Sequence, residues 1–380
     1  MGNESRATPS KQVAHARIAG RVPRAQPAAT LRSMTTATPD RREELQRFVA
    51  LQHPGHAFEI ALASADASFR SYWRVTAGTT SQIVMDAPPD KENIKPWLDV
   101  CQRLSRIGLH VPHVFATDYK RGFILMEDFG TRLYLAELEA NLQSPARVDA
   151  LYGDALDALM TMQTQVSADG LPEFDDMFIR QELELMPAWF LERHLGYTLT
   201  CDDWDIVEAA FTRLSATLRA QPQIFMHRDL HSRNLMIVAR NSPGIIDFQG
   251  AVRGPVGYDV ASLLRDCYIS WPGERVDAWI EQYRTSLAKV NHTIASAAHF
   301  REWVDLAGLQ RHIKVLGLFC RLNYRDGKSG FLRDLPLALD YVLSVARLHA
   351  DYADLVALIE RAVSGRDVTV ASVEADSETA

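Results

Sequence analysis

One stretch of the chain combines strongly polar residues with two short apolar runs: FMHRDLHSRNLMIVARNSPGIIDFQG, residues 225–250. Asn234 leads directly into the apolar run LMIV, and the second run, GIID, ends on Asp247. Two apolar runs separated by a polar turn that contains Pro and Gly predict an antiparallel strand–turn–strand unit. Because the start of one strand then lies beside the end of the other, Asn234 and Asp247 are predicted to meet at the same edge.

The residue types at this edge indicate a particular chemistry. An amide oxygen and a carboxylate that converge there suit Mg²⁺, which takes oxygen ligands and keeps waters and phosphate oxygens in its shell. Asp229, in the loop before the first strand, is placed to orient and deprotonate a hydroxyl that attacks a γ-phosphate. We expect His227 to brace this loop through hydrogen bonds. The sequence thus predicts Asp229 as a catalytic base and Asn234 and Asp247 as metal ligands.

The composition excludes several other classes of protein. The 380 residues correspond to about two domains, and 47% hydrophobic with 23% charged residues is typical of globular proteins. The net charge of −7 argues against a nucleic-acid-binding protein, and no apolar run approaches the roughly 18 residues that a membrane-spanning helix needs. The cysteines form neither a C-x-x-C pair nor a zinc spacing, so we expect free thiols in a reducing cytoplasm: Cys101, Cys201, Cys267 and Cys320.

Both ends of the chain differ from the rest. Residues 1–33 are rich in Ala, Arg, Pro and Ser and contain one acid, Glu4, so we expect a disordered N-terminal extension. Alternatives are a transit peptide, a nucleic-acid-binding arm, or an over-extended reading frame whose true start is Met34. Residues 366–380 are expected to form a disordered tail.

Residues 34–130 are predicted to be rich in strands. Apolar alternation bounded by turn residues predicts two strands within 58–78, a third at 81–89 and a hairpin at 113–130. Helical spacing marks 40–52 and 94–109. The order of these elements predicts a small sheet with one packed helix.

Residues 131–365 are predicted to be mostly helical, and the exception is the strand pair within 225–248. We therefore expect a sheet-containing lobe at 34–130 and a larger helical lobe at 131–365. The predicted helices of the second lobe are 132–142, 145–167, 176–195, 202–220, 259–270, 273–290, 298–320 and 335–363.

The polar residues of the first stretch also form known motifs. His227 to Asn234 resembles the H-x-D-x-x-x-x-N catalytic loop of protein-kinase-like enzymes, and 247–249 resembles their D-F-G. The segment GPVGYDVASLLRD (254–266) is similar to one found in the aminoglycoside phosphotransferase and choline kinase branch. The resemblance implies an α+β, two-lobe kinase fold, with a small N-terminal sheet lobe carrying one helix and a mostly helical C-terminal lobe. It also implies ATP and Mg²⁺ as cofactors, and Asp259 as a residue that ties the catalytic loop together.

The resemblance implies further nucleotide-binding residues in the first lobe. A loop over the phosphates corresponds to 64–75, with Ser68, Phe69 and Arg70 at its tip, although it has no glycine. Backbone groups of the lobe connection, around Glu127, Asp128 and Phe129, are expected to meet the adenine edge.

One expected residue is missing. The third strand of the family carries a Lys that contacts the phosphates, and Met85 stands in that place here. Lys91, Lys95, Arg70 or Arg74 is an alternative cation, and the nearest candidate for the helix Glu that pairs with the Lys is Asp99. A pseudokinase that binds nucleotide without turnover is the remaining alternative.

Two longer segments are similar to bacterial sugar kinases that phosphorylate the anomeric C1 hydroxyl of N-acetylmuramate and N-acetylglucosamine in cell-wall recycling. They contain the D-A-P-P turn at 86–89, D-F-Q in place of D-F-G, and the segment SLLRDCY. The resemblance implies a small amino-sugar partner. The sequence does not give the oligomeric state, and our expectation is a monomer. Other small-molecule kinases of the branch, acting on an aminoglycoside, choline or homoserine, remain alternatives.

A basic segment favours an anionic substrate. Residues 311–333 contain one acid, Asp326, and six bases, of which Arg311, Lys314, Arg321 and Arg325 fall near one helical face. Such a face suits the lactyl carboxylate of N-acetylmuramate, although a solvated face is the plainer alternative. The predicted substrate-contacting residues are His231, Arg233, Arg265, Arg311 and Arg321, and Trp271, Tyr268 and Tyr324 are candidates for stacking on the sugar.

Overall fold

The computed structural model describes residues 39–65, 69–290 and 295–371. By its internal contacts the chain divides into two units, residues 1–44 and 45–380. The predicted N-terminal extension, 1–33, lies outside the described residues. The first described element is helix α1, Pro39–Gln52, which matches the helix predicted at 40–52.

The strand-rich part forms one antiparallel sheet of five strands. The strands are β1 (Glu59–Ala65), β2 (Ser71–Ala77), β3 (Thr80–Asp86), β4 (Val114–Asp118) and β5 (Phe123–Glu127), in the order β1-β2-β3-β5-β4. Gly122, in the β4–β5 turn, has φ +73°, and a Cβ there would lie 1.9 Å from the carbonyl oxygen of Ala87. The close approach of the two backbones therefore requires glycine at this turn.

The two faces of this sheet are covered differently. Val84 and Leu125 face one cluster, which contains Phe48 of α1. The adjacent residues, Met85 after Val84 and Ile124 before Leu125, face the other cluster. This cluster contains the buried side of α2 (Ile94–Arg106). The single packed helix that the sequence predicts is α2, and α1 is a second helix on the opposite face.

The second lobe is mostly helical, and the α+β class is confirmed. Four short strands interrupt its helices: β6 (Gln223–Met226), β7 (Leu235–Met236), β8 (Gly244–Ile245) and β9 (Val252–Pro255). The helices are α3 (Tyr134–Ala140), α4 (Pro145–Gln165), α5 (Asp176–Leu183), a π-helical segment (Met186–His194), α6 (Cys201–Ala220), α7 (Gly257–Leu264), α8 (Gly273–Val290), α9 (Ala297–Asp326), α10 (Leu335–Ala346) and α11 (Ala353–Val363).

Helix α9 runs through the interior of this lobe. It packs against α7, α10, α6 and the π-helical segment, and its residues from Trp303 to Gly317 are all buried. A Cβ at Gly317 would lie 2.1 Å from the backbone of Leu185, so the helix approaches the π-helical segment too closely for any other residue. Because this part of α9 is buried on all sides, its charged residues must find partners inside the protein.

Several predicted boundaries differ from the structure. The helix predicted at 335–363 is two helices, because an exposed turn with Leu348 at its surface separates α10 from α11. Strand β9, which the sequence did not predict, pairs with β6 and extends only four residues, too short for an alternating pattern. The predicted disordered tail is wrong for 366–371, since Val368 is buried and its carbonyl lies 2.9 Å from His194 Nε2.

Two further observations concern predictions from composition. All four cysteines lie within the described residues and are free, with Cys101, Cys267 and Cys320 buried and Cys201 exposed. In the described part of the chain, no helix combines the length and the hydropathy needed to cross a membrane.

Candidate active site

The predicted strand pair forms and brings two polar side chains together. Leu235 pairs with Ile245 and Met236 with Gly244, which places Asn234 before β7 beside Asp247 after β8. The distance from Asn234 Nδ2 to Asp247 Oδ2 is 3.3 Å. The strands are shorter than predicted because the next residue, Ile237, donates its backbone N–H to Arg132.

The Asn234 amide has a defined orientation. Its Nδ2 donates to the backbone oxygen of Asp229 at 2.8 Å, which ties it to the catalytic loop and makes Oδ1 the atom available to a cation. Asp247 adopts a left-handed backbone conformation with φ 61°, and Gln249 Nε2 donates to its Oδ1 at 2.6 Å. Two oxygen donors therefore converge at the edge of the strand pair.

This donor set fits Mg²⁺ rather than an all-protein metal cage. Mg²⁺ is commonly bound by one or two protein oxygens and completes its shell with waters and phosphate oxygens. Among the described residues, no group of three or more His, Cys, Asp or Glu side chains forms a metal site. Asn234 and Asp247 can thus hold a magnesium ion that a nucleotide brings with it.

Helix α7 holds the catalytic loop in place through hydrogen bonds to the Asp259 carboxylate. Asp259 is fully buried and accepts the backbone N–H groups of His227 at 2.6 Å and Arg228 at 2.9 Å. Arg228 has φ 77°, which is unusual for a residue other than glycine. A second carboxylate, Asp266, accepts the backbone N–H of Ser232 at 2.8 Å. These bonds fix the backbone on both sides of Asp229.

Asp229 is surrounded by positive charge. Its side chain is 31% exposed, and its Oδ1 lies 3.4 Å from Nη1 of Arg311, which also donates to the backbone oxygen of Arg228 at 3.0 Å. Burial disfavours ionisation of Asp229, but the charges of Lys314, Arg228 and Arg311 outweigh it and hold the pKa of this carboxyl well below its usual range. Asp229 is therefore a carboxylate at physiological pH.

A buried acid on α5 completes this charge cluster. Glu182 lies 2.9 Å from Nζ of Lys314 and 3.4 Å from Nε of Arg228, and it accepts a hydrogen bond from Gln310. The cations of α9 nearest the site, Arg311 and Lys314, therefore face the carboxylates of Asp229 and Glu182. Both are buried, so they do not form an exposed basic face; that they contact an anionic substrate stays a prediction.

The two motif histidines are buried and neutral. Burial lowers the pKa of His227 to about 4 and that of His231 to about 3. Nδ1 of His227 accepts the backbone N–H of Asp229 at 3.3 Å, the geometry of a loop brace. Nε2 of His231 lies 3.3 Å from Asn234 Nδ2, and its Nδ1 is a buried atom without a hydrogen-bond partner in the described part of the chain.

The third-strand position is apolar. Met85 is 0% exposed and belongs to the same buried cluster as Trp97 and Ile124. Asp99, the predicted partner of the missing Lys, is wrong for that role, because it pairs with Arg103 of the same helix at 2.8 Å on the surface. Trp97 packs instead on Phe248 of the D-F-Q segment, with ring centroids 5.0 Å apart.

The connection between the lobes is fixed by side chains. Asp128 accepts two hydrogen bonds from Arg74, at 2.6 and 3.0 Å. Glu127 accepts the backbone N–H of His113 at 3.2 Å, and the Phe129 ring packs against His110 at 4.7 Å. The side chains of the predicted adenine-binding segment thus stabilise the connection itself.

The tip of the predicted phosphate loop is partly described. Phe69 donates its backbone N–H to Glu92 at 3.3 Å, and Arg70 Nη2 lies 3.9 Å from Asp247 Oδ1. Ser68 lies outside the described residues, so its role in binding phosphate stays a prediction.

The predicted substrate residues fall into different places. Arg233 lies over the Tyr268 ring at 3.7 Å, close to His231. Arg265 forms a buried ion pair with Asp305, so it is not available to a substrate. Arg321 is half-buried and lies ten residues beyond Arg311, about 15 Å along α9.

Two of the predicted stacking aromatics have other partners. Trp271 donates its indole N–H to Tyr152 at 2.7 Å. Tyr324 lies 2.9 Å from His194 Nδ1, thirteen residues beyond Arg311 on α9. Tyr268 alone of the three lies beside the motif residues, against the edge of His231.

Three residues of the site were missed by the sequence analysis. Gln249 donates a hydrogen bond to the Asp247 carboxylate, and Asp266 accepts one from the catalytic loop. Both residues lie inside segments that resemble the kinase family. Glu182 lies in a helical stretch without any motif, so no signal in the sequence singled it out.

Comparisons with known proteins agree with this geometry. Residues 59–295 match the model of a family described as "Phosphotransferase enzyme family". The chain is 39% identical over 314 residues, 81% of its length and 90% of the relative, to an N-acetylmuramate/N-acetylglucosamine kinase of Pseudomonas putida. It is 35% identical over 330 residues to a protein of the same name from Neisseria meningitidis, covering 86% and 98% of the two chains.

Solved structures confirm the kinase-like fold. Aminoglycoside phosphotransferase APH(2'')-Ib superposes with a TM-score of 0.54 at 17% identity, covering 80% of this chain and 97% of that one. A choline kinase from Streptococcus pneumoniae superposes with a TM-score of 0.56 at 12% identity, covering 80% and 99%. At such identities the similarity concerns the fold alone.

Proposed function

Because the chain belongs to the phosphotransferase enzyme family, we propose that it is a kinase that transfers the γ-phosphate of ATP to the anomeric C1 hydroxyl of N-acetylmuramate and N-acetylglucosamine. The observation that carries the proposal is 35–39% identity, over at least 81% of the chain, to relatives named for these two sugars. The enzyme acts in the cytoplasm, where ATP is available.

Asp229 orients the sugar hydroxyl for in-line attack. Arg311 contacts its Oδ1, and Oδ2 receives the hydroxyl hydrogen. Because the pKa of Asp229 is held low, this carboxylate is a weak base, and the proton moves to it late, when the oxygen–phosphorus bond is already forming. Positioning is thus its main contribution.

Asn234 and Asp247 hold the magnesium ion through their side-chain oxygens. A magnesium ion held by these two residues would supply positive charge against the phosphate oxygens. The hydrogen bond from Asn234 to the backbone of Asp229 sets the distance between the metal ligands and the base. Gln249 restrains the Asp247 carboxylate so that little reorganisation accompanies the reaction.

The sugar lies beside His231, Arg233 and Tyr268. The Tyr268 ring offers an apolar face, and neutral His231 packs against the edge of that ring beside Asn234. Arg233 is 28% exposed and supplies the positive charge that distinguishes N-acetylmuramate, which has a lactyl carboxylate, from N-acetylglucosamine, which has none.

An ATP-consumption assay with a substrate panel tests this proposal. We expect turnover with N-acetylmuramate and N-acetylglucosamine, and none with methyl N-acetylglucosaminide, whose C1 oxygen is blocked. Asp229→Ala should lower turnover with both sugars by at least about 10²-fold. Turnover of the blocked glycoside would contradict transfer to C1, and turnover of choline or an aminoglycoside alone would contradict the amino-sugar assignment.

A further inference from the structure

The third strand of the sheet offers no cation to the nucleotide phosphates. Met85 occupies the position expected of a Lys, and it is fully buried among Trp97, Ile124 and other apolar side chains. A transferring phosphate carries charge that phosphotransferases neutralise with a cation from the sheet lobe as well as with Mg²⁺. If the chain is an ATP-dependent kinase, another residue must supply that charge.

Three of the four candidate cations are placed elsewhere. Arg74 is held by Asp128 in a two-bond ion pair at the lobe connection. Lys91 lies over the Phe69 ring, next to Asp90, with more than half of its side chain exposed. Lys95 is exposed on α2 and borders a surface cleft with Asp99 and Arg106. Within the described part of the chain, none of these three pairs with Asn234 or Asp247.

The fourth candidate, Arg70, lies next to the face of the sheet that packs against α2. Met85 pairs with Tyr72 on the neighbouring strand, and Tyr72 packs against the same cluster as Met85. Arg70 comes two residues before Tyr72, so the alternation of an extended chain directs it to the same face, diagonal to Met85. Arg70 therefore lies near the strand position at which the family has a Lys and this chain has Met85.

The side chain of Arg70 reaches the catalytic edge. Its Nη2 lies 3.9 Å from Oδ1 of Asp247, and only 11% of the side chain is exposed. The loop that carries it is fastened at the preceding residue, because the Phe69 backbone N–H donates to Glu92. A guanidinium at this distance from the metal-ligating carboxylate lies where phosphate oxygens would share the magnesium ion.

We propose that Arg70 replaces the third-strand Lys as the cation that binds the nucleotide phosphates. This inference rests on the proposed ATP-dependent activity and adds the residue that neutralises the phosphates. The guanidinium contacts Asp247 when no nucleotide is bound and donates to phosphate oxygens when one is. Its planar fork presents two parallel N–H donors to two such oxygens, a fixed geometry that a Lys ammonium lacks.

Binding of adenosine, ADP and ATP, measured by calorimetry with Mg²⁺, tests this assignment. Arg70→Ala should weaken ADP and ATP binding by about 10–100-fold, the loss expected for charge-assisted hydrogen bonds, and should leave adenosine binding unchanged. Arg70→Lys should recover part of the lost affinity. Lys95→Ala, which removes an exposed cation of the same lobe, is the matched control and should bind all three ligands as the wild type does.

Each outcome decides the proposal. Equal weakening of adenosine and ATP binding would overturn it, because Arg70 would then act on loop structure rather than on phosphates. Unchanged ATP binding by Arg70→Ala, or a wild type that binds neither nucleotide, would also overturn it. Arg70-dependent ATP binding together with no phosphorylated sugar would leave this proposal standing and would reject the proposed function instead.

Discussion

The catalytic loop and the third strand of the sheet are built in opposite ways. Asp229 lies among buried charges, with Arg311, Arg228 and Lys314 around it and Glu182 behind them. Met85 lies in a wholly apolar cluster. Charge is therefore concentrated around Asp229, which we propose to activate the hydroxyl, and the third strand contributes apolar packing at the position where kinases have an ion pair.

The apolar contact can still perform one task of that ion pair. In kinases the Lys–Glu pair keeps the helix of the small lobe in register with the phosphate-binding groups. Here Trp97 of α2 packs against Phe248, the residue after Asp247, which we propose as a metal ligand. Packing of two aromatic rings thus couples α2 to the metal site, and it avoids the desolvation that a buried ion pair requires.

The largest effect should come from the charged region. Asp229→Ala removes the group that orients the hydroxyl, and we expect kcat to fall by about 10²–10⁴-fold. ATP binding should change little, because Asp229 is assigned to the sugar hydroxyl. Steady-state kinetics with calorimetry separate the two effects. An Asp229→Ala enzyme that retains the wild-type kcat would show that the charged region around Asp229 does not carry the catalytic step.

A second change probes the charges around Asp229. Arg311→Met removes a cation that lowers the pKa of Asp229, so this pKa should rise. Since activity requires the carboxylate and is lost as pH falls through its pKa, the acid limb of the pH–rate profile should move to higher pH. We expect kcat to fall by roughly 10–100-fold, as for the loss of one charge-assisted hydrogen bond.

The matched control is Arg325→Met, on the same helix. Arg325 is exposed and pairs with its neighbour Asp326 at 2.8 Å, so its removal should leave the profile unchanged. If Arg311→Met and Arg325→Met have the same pH profile as the wild type, the cluster does not tune Asp229.

The support of the catalytic loop should appear in stability. Asp259→Ala leaves the buried N–H groups of His227 and Arg228 without an acceptor, at a cost of about 2–4 kcal/mol in the free energy of unfolding. Asp259→Asn keeps one acceptor oxygen and should cost less. Urea denaturation measures both. Equal stability of Asp259→Ala and the wild type would mean that the loop does not depend on this brace.

The pH dependence of stability offers a separate check on Asp259. Burial raises its pKa to about 7, above the ordinary value of 3.8. A raised pKa contributes stability that is complete below about pH 4 and is lost as pH rises through about 7. Asp259→Asn should therefore flatten the decline in unfolding free energy between pH 4 and pH 7.

The smallest effect should come from the apolar region. Met85→Leu keeps the volume and apolarity of the site, so we expect less than about 1.5 kcal/mol of destabilisation and an unchanged kcat. Thermal unfolding and steady-state kinetics measure these. A large rise in KM for ATP would show that the Met85 side chain contacts the nucleotide, and the contrast between the two regions would then be smaller than we infer.

The sequence predicted what depends on neighbours along the chain. Asp229, Asn234 and Asp247 lie within 19 residues, and a strand–turn–strand pattern suffices to bring the last two together. The five strands and the helix of the small lobe also followed from local alternation and turn residues. The break between α10 and α11 did not, because the apolar spacing continues across it.

The partners of buried charges could not be predicted in this way. Helical spacing placed Arg311 and Lys314 on one side of a helix, but the groups they meet, Asp229 and Glu182, are 82 and 132 residues away in the sequence. The same holds for Arg265, whose partner Asp305 lies 40 residues further on. The basic pattern therefore indicated correctly that this part of α9 is charged, but it did not indicate that Arg311 and Lys314 face buried carboxylates.

The most direct test of the account is phosphorus NMR of the product formed from N-acetylmuramate, ATP and Mg²⁺. We expect a sugar phosphate whose phosphorus couples to the anomeric H1, absent when Asp229→Ala replaces the wild-type enzyme. A phosphate on another carbon, or no sugar phosphate from an enzyme that binds ATP, would contradict the assignment of this site to C1 phosphorylation.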